Sequence, residues 1–331
     1  MRVAVLGGGR SAEYEVSLVS AASVRDGLEA AGHTPVPIEI TRDGRWLHEG
    51  AELSLTPAGG LLDCDVVFPV LHGPYGEDGT VQGLLECLDV PYVGSGVAAS
   101  ALCMDKVRFK ALVGASGVPQ VDTRSLTRAE LDADGAAVLE LLAPLRRPLF
   151  VKPSRMGSSV GITKVEESGL ELLHAIDAAL AYDELAIIEA GAPGIEVECS
   201  VLGGAHGARA SQPGEIVIAT DFYDYEAKYQ PGGMTLQLPA RISDTARASV
   251  QHLAVAVFEL CGCADLARVD FFVDGENVLV NELNTMPGFT PTSVFAKLWE
   301  PEGIGYPTLV ERLCHAALAR FAREGARAAA R

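Results

Sequence analysis

Apolar and polar positions alternate here in short blocks rather than in one long period. Residues 2–6 read as a buried strand, Gly7 to Gly9 as a turn, and Ser11 onward as a helix ending near Gly32. A second strand is expected around 34–40. A third, Asp65 to His72, runs into a polar loop from His72 to Gly79. Thr80 to Leu88 has helical spacing, and Pro91-Tyr-Val-Gly returns to the sheet. Strand and helix alternating in this way predict an α/β layer with a doubly wound parallel sheet.

Further along, residues 100–117 predict a helix, 148–165 a strand, loop and strand, 168–181 a helix and 185–189 a strand. The last third predicts strands at 195–202, 215–220, 267–273 and 278–284, with a helix at 243–261. A final helix begins near Tyr306 and runs into an Ala/Arg-rich tail, 317–331, expected to fray. Internal repeats are absent. The pattern divides the chain into 1–95, 96–189 and 190–331.

Composition narrows the partners. At 331 residues there is room for two or three domains with real cores. The formal charge of −18 argues against nucleic acid or an anionic membrane as partner. An anionic ligand must therefore be met by local Lys, Arg and backbone N–H groups. The 7 cysteines are scattered and lack a Cys-x-x-Cys pair, so neither a disulfide framework nor a zinc ribbon is indicated; Cys261 and Cys263 read as small core residues. The glycine-rich start does not resemble a signal segment, and no apolar run approaches the ~18 residues of a membrane span. The cytoplasm is the expected compartment.

Candidate chemistry concentrates in two stretches. In 268–284, Asp270, Glu282 and Asn284 interrupt a run of Phe, Val and Leu. Carboxylates buried among such residues cost several kcal/mol unless something compensates. Hard oxygen ligands of this kind suit Mg²⁺, which is usually held by one or two carboxylates plus substrate phosphates. Glu282 and Asn284, two apart, share a sheet face. Asp270 joins them only if it pairs opposite Glu282, and a plain two-residue loop would pair it with Asn281. An odd loop, Gly275 to Asn277, or a bulge is therefore expected.

The second stretch, 150–162, carries Lys152 and the loop Pro-Ser-Arg-Met-Gly-Ser-Ser-Val-Gly between two strands. Gly157 and Gly161 permit close approach of backbone N–H groups to phosphate. Gly157-Ser-Ser-Val-Gly161 also fits the nucleophile elbow, but β-branched residues follow where that motif needs a helix. Gly7-Gly-Gly-Arg-Ser-Ala12 fits a dinucleotide fingerprint, with Glu39 as the acidic partner, and the match is weak on its own. On the residues alone, Glu13 reads as a first-turn carboxylate favoured by the helix dipole. A lone His72 at a strand end is more often structural, although ligands meet open α/β sheets at that edge. The aromatic, charged and glycine-ended segment 221–233 has the character of a lid.

Together these segments resemble the ATP-grasp superfamily and, within it, the D-alanine–D-alanine ligase family. The residues that carry the resemblance are Gly-Gly-x-Ser-Ala-Glu-x-Glu-Val-Ser-Leu (8–18), Leu-His-Gly-x-x-Gly-Glu-Asp-Gly-Thr-Val-Gln-Gly (71–83) and the run Pro91 to Lys106. Val-Lys-Pro-Ser-x-x-Gly-Ser-Ser-Val-Gly (151–161), Phe-Tyr-Asp-Tyr-Glu-Ala-Lys-Tyr (222–229) and Asn-Glu-Leu-Asn-Thr-x-Pro-Gly-Phe-Thr (281–290) complete it. The fold implied is an N-terminal doubly wound domain followed by two α+β domains that sandwich a nucleotide.

The resemblance implies the following roles. Lys106 and Lys152 would hold ATP phosphates under a loop containing Ser158 and Ser159. Glu189 would lie by the adenine and Glu196 by the ribose. Asp270, Glu282 and Asn284 would bind two Mg²⁺, or Mn²⁺ in their place. Glu13 would take the ammonium of the first D-alanine; Lys228, Ser293 and the Val294 backbone would take the carboxylate of the second. Arg268 and the Gly288 N–H would stabilise the oxyanion, and Tyr229 would link Glu13 to Ser158. Lys228 also falls near the nucleotide. His72 and Tyr229 are both candidates to accept the proton of the incoming amine.

The implied product is D-alanyl-D-alanine, a peptidoglycan precursor, made by a cytoplasmic homodimer from D-alanine and ATP. Ala190 and Gly191 follow Glu189 where some relatives have Lys and Trp, so adenine contacts there would rest on backbone. Tyr229 in the lid predicts that D-lactate is a poor second substrate. Rival readings are an ATP-grasp ligase with another D-amino acid or acceptor, a catalytically silent binder on the same fold, and an NAD-dependent dehydrogenase. The last leaves the glycine loop and the acidic hairpin unexplained.

Overall fold

The first sheet is built from β1 (Arg2–Gly8), β2 (Thr34–Ile40), β3 (Trp46–His48), β4 (Ala51–Glu52) and β5 (Val66–Pro69), in the order β4-β3-β2-β1-β5. The strands β1, β2 and β5 are parallel, and β3 and β4 add an antiparallel edge. Val67 also bridges Tyr92 in parallel, which is where Pro91-Tyr-Val-Gly rejoins the sheet. Helices α1 (Tyr14–Ala30) and α2 (Thr80–Leu88) cover opposite faces, since Val24 and Leu28 pack with Val3 and Val5 while Val81 and Leu85 pack with Ala4 and Leu6. This computed structural model describes every residue except 158–159, 205–206, 219–232, 291–292 and 330–331, with the side chains at 218 and 327–329 also outside it.

Two helices, α3 (Val97–Met104) and α4 (Lys106–Ala115), stand where the sequence predicts one over 100–117. Asp105 breaks the run: its backbone is extended, and its carboxylate accepts the Arg108 N–H at 3.1 Å, capping α4. Short polar residues at such a position compete with the helix for its own donors.

The second sheet comprises β6 (Thr123–Thr127), β7 (Leu149–Pro153), β8 (Thr163–Val165) and β9 (Leu185–Ala190), in the antiparallel order β6-β9-β7-β8. Helices α5 (Arg128–Ala133), α6 (Gly135–Leu142) and α7 (Leu170–Leu180) complete this unit, with Leu142, Leu172 and Ile176 buried against Leu149, Val151 and Ile188.

The third sheet contains β10 (Ile195–Leu202), β11 (Arg209–Ala210), β12 (Gly214–Ile218), β13 (Met234–Gln237), β14 (Leu266–Asp274) and β15 (Asn277–Asn284). Its order is β13-β12-β10-β14-β15, with β11 on β10. Helix α8 (Asp244–Leu260) covers one face through Val250, Ala254 and Val257, which meet Val197, Cys199, Val269 and Phe271. Cys103, Phe109 and Val113 from α3 and α4 share this core.

After the short α9 (Val294–Lys297), α10 (Tyr306–Ala329) returns to the first sheet. Leu309, Val310 and Leu313 are buried with Val5, Leu28 and Phe68. The helix starts where expected and continues through the Ala/Arg-rich tail to Ala329. Arg320 secures it, donating to the carbonyls of Tyr92 at 2.7 Å and Gly94 at 3.0 Å and to Asp265 at 3.1 Å.

The β14–β15 hairpin settles the register question. Asp274 pairs Asn277 across the two-residue turn Gly275-Glu276, and the pairing proceeds evenly to Phe271 with Val280. It then shifts, so that Asp270 faces Glu282 and Arg268 faces Asn284. Asn281 is the extra residue. The loop is even-numbered and the bulge supplies the odd step. The bulge also changes which side chains point to the core: Val278 and Val280 precede it in the α8 core, and Leu283 takes that face after it. Glu282 and Asn284 are thereby turned to the face carrying Arg268 and Asp270.

Candidate active site

The cores of the three sheets leave one cleft of about 350 Å³ between them, within the usual range of small-ligand sites, roughly 300–1,000 Å³. Every described candidate lines it: Glu13, His72, Lys106, Lys152, Glu189, Glu196, Arg268, Asp270, Glu282, Asn284, Gly288, Ser293 and Val294. Ser158, Ser159, Lys228 and Tyr229, with most of the expected lid, lie outside the described residues.

The edge of the first sheet places Glu13 and His72. Gly8 and Gly9 adopt left-handed φ values of 88° and 105°, letting the chain turn from β1 towards α1. Ser11 joins the two loops, its hydroxyl donating to the His72 carbonyl at 2.7 Å and accepting the Glu13 N–H at 3.1 Å. A Cβ on Gly73 would stand 2.5 Å from Glu13 Oε2, and one on Gly157 would stand 2.9 Å from it. A side chain at either position would therefore push this carboxylate aside. His72 Nδ1 lies 3.3 Å from the Met286 carbonyl and Nε2 lies 3.1 Å from the Ser20 hydroxyl. Burial pushes the His72 pKa down, against the pull of Glu13. Held neutral, the ring donates from Nδ1 to the carbonyl and accepts the Ser20 hydroxyl at Nε2.

Glu77, from the same polar loop, is a site residue that the sequence reading did not single out. It accepts the Gly73 N–H at 2.7 Å and lines the cleft near Glu13. Burial first, and then the Glu13 charge, raise its pKa to about 8.

The second sheet contributes the cationic side. Lys106, first residue of α4, donates to the Met156 carbonyl in the glycine loop at 2.8 Å. Lys152 on β7 lies 2.5 Å from Glu189 Oε2 on β9, and Lys110 on α4 lies 3.0 Å from Glu189 Oε1. Burial would raise the Glu189 pKa, but Lys110 and Lys152 overcome it and bring the group down to about 2. Burial also opposes the charge on Lys152, yet Glu189, Glu282 and Glu196 outweigh it and hold that pKa above a free lysine's. For Lys110 burial wins, and its pKa is lowered. The glycine loop runs from strand to strand, β7 to β8, as its β-branched continuation predicts.

The third sheet supplies the acidic side. Arg268 Nε donates to Asp270 Oδ1 and its terminal nitrogen to Oδ2, both at 2.7 Å. The same Nε lies 3.0 Å from Glu198 Oε2 on β10. Asn284 Nδ2 reaches Asp270 Oδ2 at 3.2 Å. Asp270 and Glu198 are only 3% and 2% exposed, so Arg268 is the counter-charge that makes their burial tolerable. Glu198 was missed, although Glu196 and Glu198 alternate with the core residues Val197 and Cys199 and so share the cleft face of β10. Among the described residues no set of three or more His, Cys, Asp and Glu is placed to hold a metal. Two carboxylates and an amide that leave positions for substrate oxygens still fit Mg²⁺.

After the hairpin, Ser293 Oγ accepts the Thr290 N–H at 2.8 Å, and a Cβ on Gly288 would stand 2.9 Å from that same oxygen. Glu39, the acidic residue of the dinucleotide reading, instead accepts the Tyr14 hydroxyl at 2.6 Å.

A family model described as "D-ala D-ala ligase C-terminus" matches residues 112–315, and one described as "D-ala D-ala ligase N-terminus" matches 2–60 and 54–95. The chain belongs to the D-alanine–D-alanine ligase family. It is 42% identical to the D-alanine–D-alanine ligase of Frankia casuarinae, covering 98% of this chain and 97% of that one. With the Natranaerobius thermophilus ligase it shares 40%, over 97% and 95%. Among solved structures it superposes on the D-alanine–D-alanine ligase of Coxiella burnetii with a TM-score of 0.85 and 33% identity, covering 98% and 97%. The VanG D-Ala:D-Ser ligase of Enterococcus faecalis gives 0.85 at 35%, covering 96% and 99%. The fold is thus the mixed α/β ATP-grasp fold of these ligases, and the family's use of ATP fits the cationic wall.

Proposed function

We propose that this chain condenses two D-alanines to D-alanyl-D-alanine at the expense of ATP, as a step towards peptidoglycan. The observation that carries this is the assembly, in one cleft, of the cations of the second sheet, the acids of the hairpin and Glu13 of the first sheet. ATP supplies the phosphoryl group. A carboxylate oxygen of the first D-alanine attacks the γ-phosphorus, ADP leaves, and D-alanyl phosphate forms. The amine of the second D-alanine attacks the carbonyl carbon of that acyl phosphate and loses a proton, and the C–O bond breaks as inorganic phosphate leaves with its oxygen and electron pair.

Each residue has a part in that sequence. Glu13 binds the ammonium of the first D-alanine and so aims its carboxylate at the nucleotide. Lys106 and Lys152, with Ser158 and Ser159, hold the phosphates; Glu189 and Glu196 bound the adenine and ribose. Asp270, Glu282 and Asn284 would hold two Mg²⁺, or Mn²⁺, which would neutralise phosphate charge during transfer. Arg268 and the Gly288 N–H meet the oxyanion of the tetrahedral intermediate, where such donors contribute most. Ser293, the Val294 backbone and Lys228 hold the second carboxylate. Since both ring nitrogens of His72 are engaged, His72 positions the loop by Glu13, and Tyr229 is the better candidate to take the amine proton. We further take 1–95, 96–189 and 190–331 as a working division into domains, a homodimer as the assembly and the cytoplasm as the location. Among the described residues no helix is long and apolar enough to cross a membrane.

The test is phosphate release from ATP and Mg²⁺ with D-alanine, L-alanine, D-serine or D-lactate, with products identified by mass. The proposal requires phosphate matched by D-alanyl-D-alanine and no turnover with L-alanine. Preferential turnover with D-serine as second substrate would move the function towards the D-Ala:D-Ser ligases. Binding without turnover of any of these would leave a silent binder.

A further inference from the structure

Lys110 stands one turn after Lys106 on α4, so both side chains leave the same face of the helix. Lys106 reaches the glycine loop. Lys110 is only 4% exposed and points at Glu189, which it shares with Lys152. Burying a lysine is expensive unless it is paired, so the arrangement calls for a reason. Counting only these three groups, the charges sum to one surplus positive, offered to the cleft. With Lys110 neutral the sum would be zero, and Lys152 would be wholly committed to Glu189. In this structure Lys152 is bonded to Glu189, and a nucleotide phosphate would compete for the same ammonium.

We propose that Lys110 is a positioning residue of the nucleotide site: it keeps Glu189 ionised and in place when Lys152 turns from that carboxylate to phosphate. The inference rests on reading Lys152 and Glu189 as parts of that site. Lys110 stands behind Lys106, Lys152 and Glu189, which line the cleft. Lys110 holds the other carboxylate oxygen, Oε1, at 3.0 Å, so this contact can persist when Lys152 leaves Oε2. The segment after α4 ties down the helix that carries it, since Gln120 Nε2 donates to the Lys110 carbonyl at 2.8 Å.

The experiment measures ADP and Mg²⁺ binding by calorimetry for wild type, Lys110→Met, Lys110→Arg, Glu189→Gln, Lys152→Met and the double variant Lys110→Met/Glu189→Gln, with steady-state kinetics alongside. Lys110→Met is expected to weaken nucleotide binding by about tenfold or more and to raise the KM for ATP while leaving kcat within about threefold, as loss of a partner from a buried pair demands. Lys110→Arg should recover most of that loss. In the Glu189→Gln background, where Lys110 has no Glu189 carboxylate to hold, Lys110→Met should fold and change affinity by less than about threefold. Unchanged affinity in the single variant, or an undiminished loss in the Glu189→Gln background, would overturn the proposal. Should Lys152→Met bind nucleotide as tightly as wild type, the underlying site reading fails instead, whatever Lys110 does.

Discussion

Glu77 shows how a single side chain in this cleft ties chemistry to stability. Its pKa stands near 8 in the folded protein against 4.5 for the free group, through burial and the nearby Glu13. The unfolded chain therefore releases a proton as pH rises past about 4.5, while the folded protein keeps it until about pH 8. By linkage, the contribution of this group to stability is intact at low pH and is lost progressively across that window. Glu77→Gln removes the slope. Its melting temperature should exceed that of wild type by a few degrees at pH 8.5 and approach it at pH 5.5. Thermal melts at the two values check this, and a difference that grows towards low pH would contradict it. The sequence gives no hint of such a residue: Glu77 sits in a polar loop, and only the fold brings it beside Glu13 and the Gly73 N–H. Lys110 was hidden for a related reason, since nothing local separates it from the exposed Arg108 beside it on α4.

At the level of elements, the bulged hairpin and the broken helix govern the site. The need for a bulge or odd loop was legible from the parity of Asp270, Glu282 and Asn284. Which of the two the chain uses was not, because both satisfy the same parity. Deleting Asn281 would leave Val280 opposite Phe271 and Glu282 opposite Asp270 in an unbulged ladder, so Glu282, Leu283 and Asn284 keep their faces. Turnover should survive that deletion; a folded deletion variant without detectable activity would contradict the register. Asp105, which the sequence reading passed over inside a predicted helix, caps α4 and also accepts the Ser154 hydroxyl at 2.8 Å. Asp105→Ala should cost about 1–2 kcal/mol of stability and raise the KM for ATP, because Lys106 is the next residue. Denaturant titration and ATP kinetics test both; a stability loss with no change in KM would separate the cap from the site. Short edge strands such as β3, β4, β11 and β13 carry too few residues to show a period, which is why they went unread.

Across the whole molecule, the two ends of the chain complete one unit. From Val3 on, β1, like β5, is buried and apolar because both faces are covered, one by α2 and the other by α1 together with the C-terminal α10. Local periodicity predicted α10 but not its destination, since nothing near Tyr306 in sequence names the first sheet as its partner. Truncation after Gly305 would uncover Val5, Leu28 and Phe68 and leave the buried Asp265 without Arg320. The truncated chain should be insoluble or lose cooperative unfolding, and a soluble product with a sharp melt would contradict this packing account. The central claim concerns the reaction that the three sheets jointly enclose, and isotope transfer tests it most directly. With D-alanine carrying ¹⁸O in its carboxylate, ATP and Mg²⁺, the phosphate released should contain one ¹⁸O for each dipeptide formed, because the donor carboxylate oxygen leaves with phosphorus. Dipeptide accompanied by unlabelled phosphate would contradict an acyl phosphate, and with it the roles assigned to this cleft.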